Sequence, residues 1–195
     1  SRERKENAGI MLPCLFHSGN ILFSMNNGNG GNMKSIIIYH SHSGVTRRVA
    51  EKIGEELSGD PIEVTPEKEY SSLMVVPKGC FRAMKGLADK VRPEKIDVTG
   101  YDMVIIASPV WAGKPTPVIN GAIESLTGCQ GKKSYGILTC KSAQSGNEAL
   151  VPFIARMKEK GLVISNTAVL DRNTSTDNAA IDTIVADIKS AWNNL

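Results

Sequence analysis

Between residues 34 and 170 the chain alternates short, nearly continuous apolar runs with longer stretches in which apolar positions recur every three or four residues. KSIIIYH (34–40) and DMVIIAS (102–108) are β-branched and hardly interrupted, as strands buried on both faces are. SYGILTC (134–140) and LVISNTAVL (162–170) read the same way, and the weaker PIEVT (61–65) makes a fifth strand. In VTRRVAEKIGEEL, Val45, Val49, Ile53 and Leu57 share one helical face. Further helices are predicted at 80–91, 115–126, 146–160 and 176–193. Alternation of this kind predicts an α/β fold of three layers: a five-stranded parallel sheet in the order 2-1-3-4-5, with helices on both faces. Ligands of such sheets bind at the carboxyl ends of the strands, which directs attention to the loops after the first, third and fourth.

Residues 1–32 lack this regularity, opening on the charged SRERK and closing on the Gly/Asn-rich NNGNGGN. They are expected to be an appendage, flexible or foreign to a natural chain that starts at Met33, ahead of one domain over 33–195. The basic start followed by AGIMLPCLF imitates a secretion signal, but Pro13 breaks its apolar part and no cysteine framework of a secreted protein follows. A length of 195 residues with 41% hydrophobic content suits one α/β domain with a sizeable core.

No apolar run approaches the roughly 18 residues of a membrane helix, so a cytoplasmic protein without a membrane partner is expected. Lys+Arg 23 against Asp+Glu 20 gives a net charge of +3. These charges alternate in sign along the helical stretches, which argues against nucleic-acid binding. Cys14, Cys80, Cys129 and Cys140 contain no CxxC pair, so neither a metal site nor a dithiol redox motif is expected.

The first loop, YHSHSGVT (39–46), mixes hydroxyls with two of the three histidines. A serine hydrolase would need G-x-S-x-G and a later histidine, yet no glycine precedes Ser43 at that spacing and no histidine follows His42. A phosphoacceptor domain would need acidic residues where strand one ends in Tyr39 and His40. A cysteine phosphatase would need an arginine in CKSAQSG (140–146), which has none. An anion cradle remains: Ser41, His42, Ser43, Gly44, Val45 and Thr46 would offer backbone N–H groups and hydroxyls at a helix N-terminus. The plainer alternative is an ordinary N-cap by Ser43 or Ser41. No side chain is singled out as catalytic.

The loop after strand three, SPVWAGKPTPVI (108–119), stiffens a turn with prolines and a glycine and carries Trp111. An indole there either packs into the core or covers a planar aromatic ligand.

Together, IIIYHSHSGVTRRVAEKI resembles the flavodoxin signature, and YDMVIIASPVWAGKPTPVI resembles that family's second flavin loop; the resemblance spans about residues 34–193. It implies noncovalent FMN, with the phosphate on Ser41 to Thr46. The isoalloxazine would lie against Ser108, Pro109, Val110, Trp111, Ala112 and Gly113. Thr139, Cys140, Lys141 and Gly146 of the third loop would complete the pocket. The third loop lacks the second aromatic common in the family, and residues 33–195 carry 20 basic and 18 acidic side chains where small flavodoxins are strongly acidic. The segment 66–91, with Lys78, Gly79, Phe81, Arg82 and Ala83, resembles a less characterised branch of the same family. Its Arg82 and Lys85 are read as a solvated helix face, or as groups that approach the flavin edge or an anionic partner.

The function implied is electron transfer with a redox partner protein of ferredoxin or reductase type. Alternatives are an NAD(P)H:quinone oxidoreductase of the same fold and a flavin-free binding module. A homodimer would allow a partner copy to cover the open flavin face.

Overall fold

The structure is a computed structural model that describes residues 33–68 and 75–193. Five strands form the parallel sheet: β1 Ser35–Tyr39, β2 Asp60–Glu63, β3 Met103–Trp111, β4 Lys133–Thr139 and β5 Val163–Leu170. Their spatial order is β2-β1-β3-β4-β5, as the sequence predicts. Five helices flank them: α1 Val45–Leu57, α2 Val75–Met84, α3 Pro117–Glu124, α4 Ala143–Glu159 and α5 Asn178–Asn193.

Alternation along the strands divides the core in two, because successive side chains point to opposite faces. Ile36, Ile38, Val104, Ile106 and Leu138 pack with Val118, Ile119, Phe153 and Met157 of α3 and α4. Ile37, Tyr39, Ile105, Ala107 and Ile137 pack with Val49, Ile53, Ile184 and Ile188 of α1 and α5. Each fully buried Ile or Val contributes roughly 1.5–3 kcal/mol of burial free energy, so β1 and β3 hold the sheet centre firmly where the loops depart.

Four expectations need correction. β5 is not buried on both faces: it is an edge strand whose side chains are mostly half-exposed, with Leu170 alone buried. Val45 leaves the shared face of α1 and stays 37% exposed, because it opens the helix beyond the sheet's rim. α2 covers 75–84 instead of 80–91; Gly86 adopts φ 64 and the N–H of Leu87 bonds back to the Arg82 carbonyl, a left-handed closure that stops the helix. β3 runs three residues past the predicted 108, through Pro109 to Trp111, and turns into a tight hairpin with Lys114–Pro115.

No helix among the described residues is long and apolar enough to cross a membrane.

Candidate functional site

At the carboxyl end of β1 the chain turns through residues 40–44 into α1. His40 is buried, and its Nδ1–H donates to the Val64 carbonyl at 2.9 Å, which fastens the end of β1 to the segment leaving β2. Burial holds its pKa below the ordinary 6.5, while the Val64 bond opposes that shift. His40 is thus a neutral structural anchor. His42 is exposed.

The N-cap of α1 is Gly44, in the left-handed region at φ 83, with no side-chain cap hydrogen bond. The expectation of a Ser43 or Ser41 cap is therefore overturned: with glycine in the capping position, no hydroxyl closes the first turn. The first-turn N–H groups lack a side-chain partner, and no acidic residue stands in that turn. Ser41 Oγ is buried without a hydrogen-bond partner among the described residues. An unsatisfied buried hydroxyl beside an uncapped helix start is an arrangement that a phosphate would complete.

Two arginines follow in the same turn, each already engaged. Arg47 forms a bidentate pair with Glu63, at 2.7 and 2.8 Å from one nitrogen. Arg48 donates to the carbonyls of Ser175 and Thr176 and to Asn178 Oδ1, all neutral acceptors, so its positive charge near the helix start is not cancelled by these contacts.

Thr46 is buried and its hydroxyl lies 2.7 Å from that of Thr139, also buried, across 93 residues of sequence. This link ties the first loop to the third. In the third loop only Cys140, Lys141 and Ser142 separate β4 from α4, which Ser142 caps by accepting from the Ser145 N–H. Lys141 is exposed. The Cys140 thiol donates to the Leu170 carbonyl, and burial, followed by the charge of Asp171, pushes its pKa up; it stays a thiol. Gly146 belongs to the first turn of α4, packed so closely on Val169 and Cys140 that a β-carbon would collide with both. It packs the start of α4 against Val169 and against Cys140 of the third loop.

The second loop is a two-residue turn. Ala112 and Gly113 both take positive φ, 48 and 70, between the paired Trp111 and Lys114. Ser108 is fully buried at the base of this hairpin, donating to the Pro109 carbonyl and accepting from the Thr116 N–H. It braces the loop from beneath, whereas Pro109, Val110, Trp111, Ala112 and Gly113 reach the surface.

Trp111 is gripped on three sides. His42 meets it edge-on at 5.8 Å between ring centroids and 89°, and His40 does so at 6.2 Å and 77°. The third support is Gly79 of α2, whose β-carbon, if it had one, would lie 2.4 Å from the indole Cζ3 and 2.9 Å from Cε3. Sequence reasoning assigned Gly79 no role. Its signal is a glycine inside a helical stretch, which costs roughly 1 kcal/mol against alanine unless a close approach needs it. Arg82, from the same helix, pairs with Asp89 and donates to the Ala88 carbonyl; Lys85 lies exposed over the Phe81 ring. Among the described residues no group of side chains can hold a metal ion.

The uncapped start of α1, the gripped indole and the short third loop thus meet at one end of the sheet. A flavodoxin family model matches residues 34–178. A candidate flavoprotein from Bacteroides eggerthii is 24% identical, with 81% of this chain and 99% of its own covered, at a TM-score of 0.66. A flavoprotein from Lactobacillus acidophilus, solved in complex with FMN, is 21% identical over 77% of this chain and 97% of its own, at 0.60. Oxidised flavodoxin 1 from Bacillus cereus is 16% identical over 83% and 99%, at 0.51. Identities this low speak to fold alone. No curated protein matches the chain.

Proposed function

The chain belongs to the flavodoxin family, and from that premise we propose that it binds FMN noncovalently and carries electrons between protein partners. The observation that carries the reading is the start of α1. Gly44 caps it without a side chain, no carboxylate stands in its first turn, and Ser41 Oγ is buried without a partner among the described residues. These features match a phosphate monoester better than a neutral ligand.

Ser41, Ser43, Gly44 and the first-turn amides would hold the phosphate, with Thr46 bracing the loop through Thr139. Trp111, kept upright by Gly79 and the two histidines, would cover the ring. Bound FMN supplies one- and two-electron redox chemistry; the protein contributes position, an apolar wall and exclusion of water. With His40 neutral and buried and Cys140 a protonated thiol, these two groups tune the surroundings of the ring and transfer no protons.

Titration of the flavin-free protein with FMN and with riboflavin, followed by tryptophan fluorescence and melting temperature, tests the proposal. FMN is expected to quench Trp111 and to bind at least about tenfold more tightly than riboflavin, since the phosphate meets charge-assisted hydrogen bonds. Equal affinities would remove the phosphate cradle, and no binding by either would remove the flavin. Steady turnover of NADH or NADPH with a benzoquinone would replace the carrier by a reductase.

A further inference from the structure

We infer that the outward face of α2 is the docking surface for an acidic electron-transfer protein, an inference that rests on the FMN reading above. The inward face of this helix is small: Gly79 and Ala83 are buried, and Gly79 lies against Trp111. The outward face is large and apolar. Phe81 is 59% exposed, Met84 64%, and Leu87, just beyond the helix, 40%. Six large apolar side chains are exposed among the described residues, and these three fall within one stretch of seven. Such clustering marks an interaction site where scattered exposure does not.

The rim of this patch is basic. Lys78 lies on α2, and Lys85 directly follows its last residue, both exposed. Beside them opens a cleft of about 310 Å³, lined by Lys68, Lys78 and Lys90 together with Glu67 and the Arg82–Asp89 pair. None of the four lysines forms an ion pair with a described carboxylate. With Arg82 and Asp89 paired, the described residues here set four lysines against the carboxylates of Glu67 and of Glu94, which lies beside Lys90, an excess of two positive charges among the described residues.

An apolar centre containing aromatic and Met side chains inside a charged rim is the anatomy of a protein interface. A small anion would fill the cleft but leave Phe81, Met84 and Leu87 in water; an acidic protein covers both and is steered by the lysines. The position suits electron transfer. Only the width of one helix, about 10 Å, separates the patch from the indole that would cover the flavin. One electron would pass from the partner's reduced redox centre, which is oxidised, to the flavin, which is reduced.

The test uses an acidic plant-type [2Fe–2S] ferredoxin as probe, titrated onto the isotope-labelled, FMN-loaded protein and followed by amide chemical shifts. Shifts at residues 78–90 are expected, with affinity falling as salt rises. Lys78→Glu with Lys85→Glu, and separately Phe81→Ser with Met84→Ser, are each expected to weaken binding about tenfold while leaving FMN affinity unchanged. Shifts confined to other surfaces, wild-type affinity in both double variants, or no binding by the ferredoxin would overturn the inference. So would shifts of Lys68, Lys78 and Lys90 produced by NADPH and not by the ferredoxin, which would assign the cleft to a small anion. The same titration on flavin-free protein separates the two readings: loss of FMN binding with α2 shifts intact defeats the flavin and not the docking surface.

Discussion

The six-membered ring of Trp111 lies so close to the α-carbon of Gly79 that a single methyl group would displace it, a β-carbon there falling 2.4 Å from Cζ3. His40 and His42 bound the same indole, so it has little room to yield. Gly79→Ala should therefore destabilise the protein by about 1–3 kcal/mol, the cost of overpacking, despite the gain in helix propensity. FMN affinity should fall with it. In a Trp111→Leu background the same alanine is expected to be neutral or stabilising. Urea midpoints of the four proteins of this double-mutant cycle decide it; additive effects would mean that the two residues do not bear on each other.

Ser41 carries a cost that a ligand would repay. Its buried hydroxyl, without a partner among the described residues, disfavours the flavin-free fold by roughly 1–3 kcal/mol. Ser41→Ala is expected to raise the melting temperature of the flavin-free protein and lower FMN affinity, with riboflavin affinity little changed. A variant less stable than wild type without flavin would show that the hydroxyl has a partner of its own.

Thr46 and Thr139 test strut against ligand. Thr46→Val breaks the 2.7 Å contact and leaves a buried hydroxyl at Thr139 unpaired, costing about 1–3 kcal/mol. Adding Thr139→Val should recover much of that loss, because both partners then become apolar. If the double variant binds FMN as wild type does, Thr46 acts by bracing the loop; if FMN binding stays weak at restored stability, its hydroxyl touches the phosphate.

These contacts explain what the sequence could and could not reveal. Ile36, Ile37 and Ile38, like Val104, Ile105 and Ile106, are buried on both sides of the sheet, so β1 and β3 announced themselves as apolar runs, and the order of strands followed from their alternation with helices. The cradle was visible because Gly44 and its hydroxyl neighbours are consecutive. The hairpin was hidden: Pro109 and Pro115 read as turn residues, yet both stand in paired strands, Pro109 opposite Thr139 of β4 and Pro115 opposite Val110. Gly79 with Trp111, and Thr46 with Thr139, are pairs that only the fold brings together. A helical glycine and a buried threonine hint at a partner without naming it.

Ala112 occupies the left-handed region at φ 48, where a β-carbon costs about 1–2 kcal/mol. Ala112→Gly should relieve that strain, offset in part by the greater freedom of glycine in the unfolded chain, for a net gain of about 0.5–1 kcal/mol in denaturant unfolding. Gly113→Ala adds a β-carbon at φ 70 and should cost a similar amount, since the nearest neighbour, Glu148 Oε2 at 3.2 Å, is a flexible tip that can move. If Ala112→Gly leaves stability unchanged but alters the flavin's reduction potentials, the turn is strained for function and not by accident.

His40 sets an acid limit on the fold. Burial lowers its pKa from the ordinary 6.5, so the folded state holds the imidazole neutral over a range in which the unfolded chain would protonate it. The unfolded state then binds more protons, and stability rises with pH across that interval. The contribution is complete above about pH 6.5 and is lost as pH falls through the lower folded value. His40→Asn keeps a donor for the Val64 carbonyl but cannot titrate. It should cost little near pH 8 and flatten the decline in urea midpoint as pH falls below about 6.5. A variant with the same slope as wild type would move the acid sensitivity to another group, and a variant unstable at every pH would show that imidazole packing, not charge, is what this position requires.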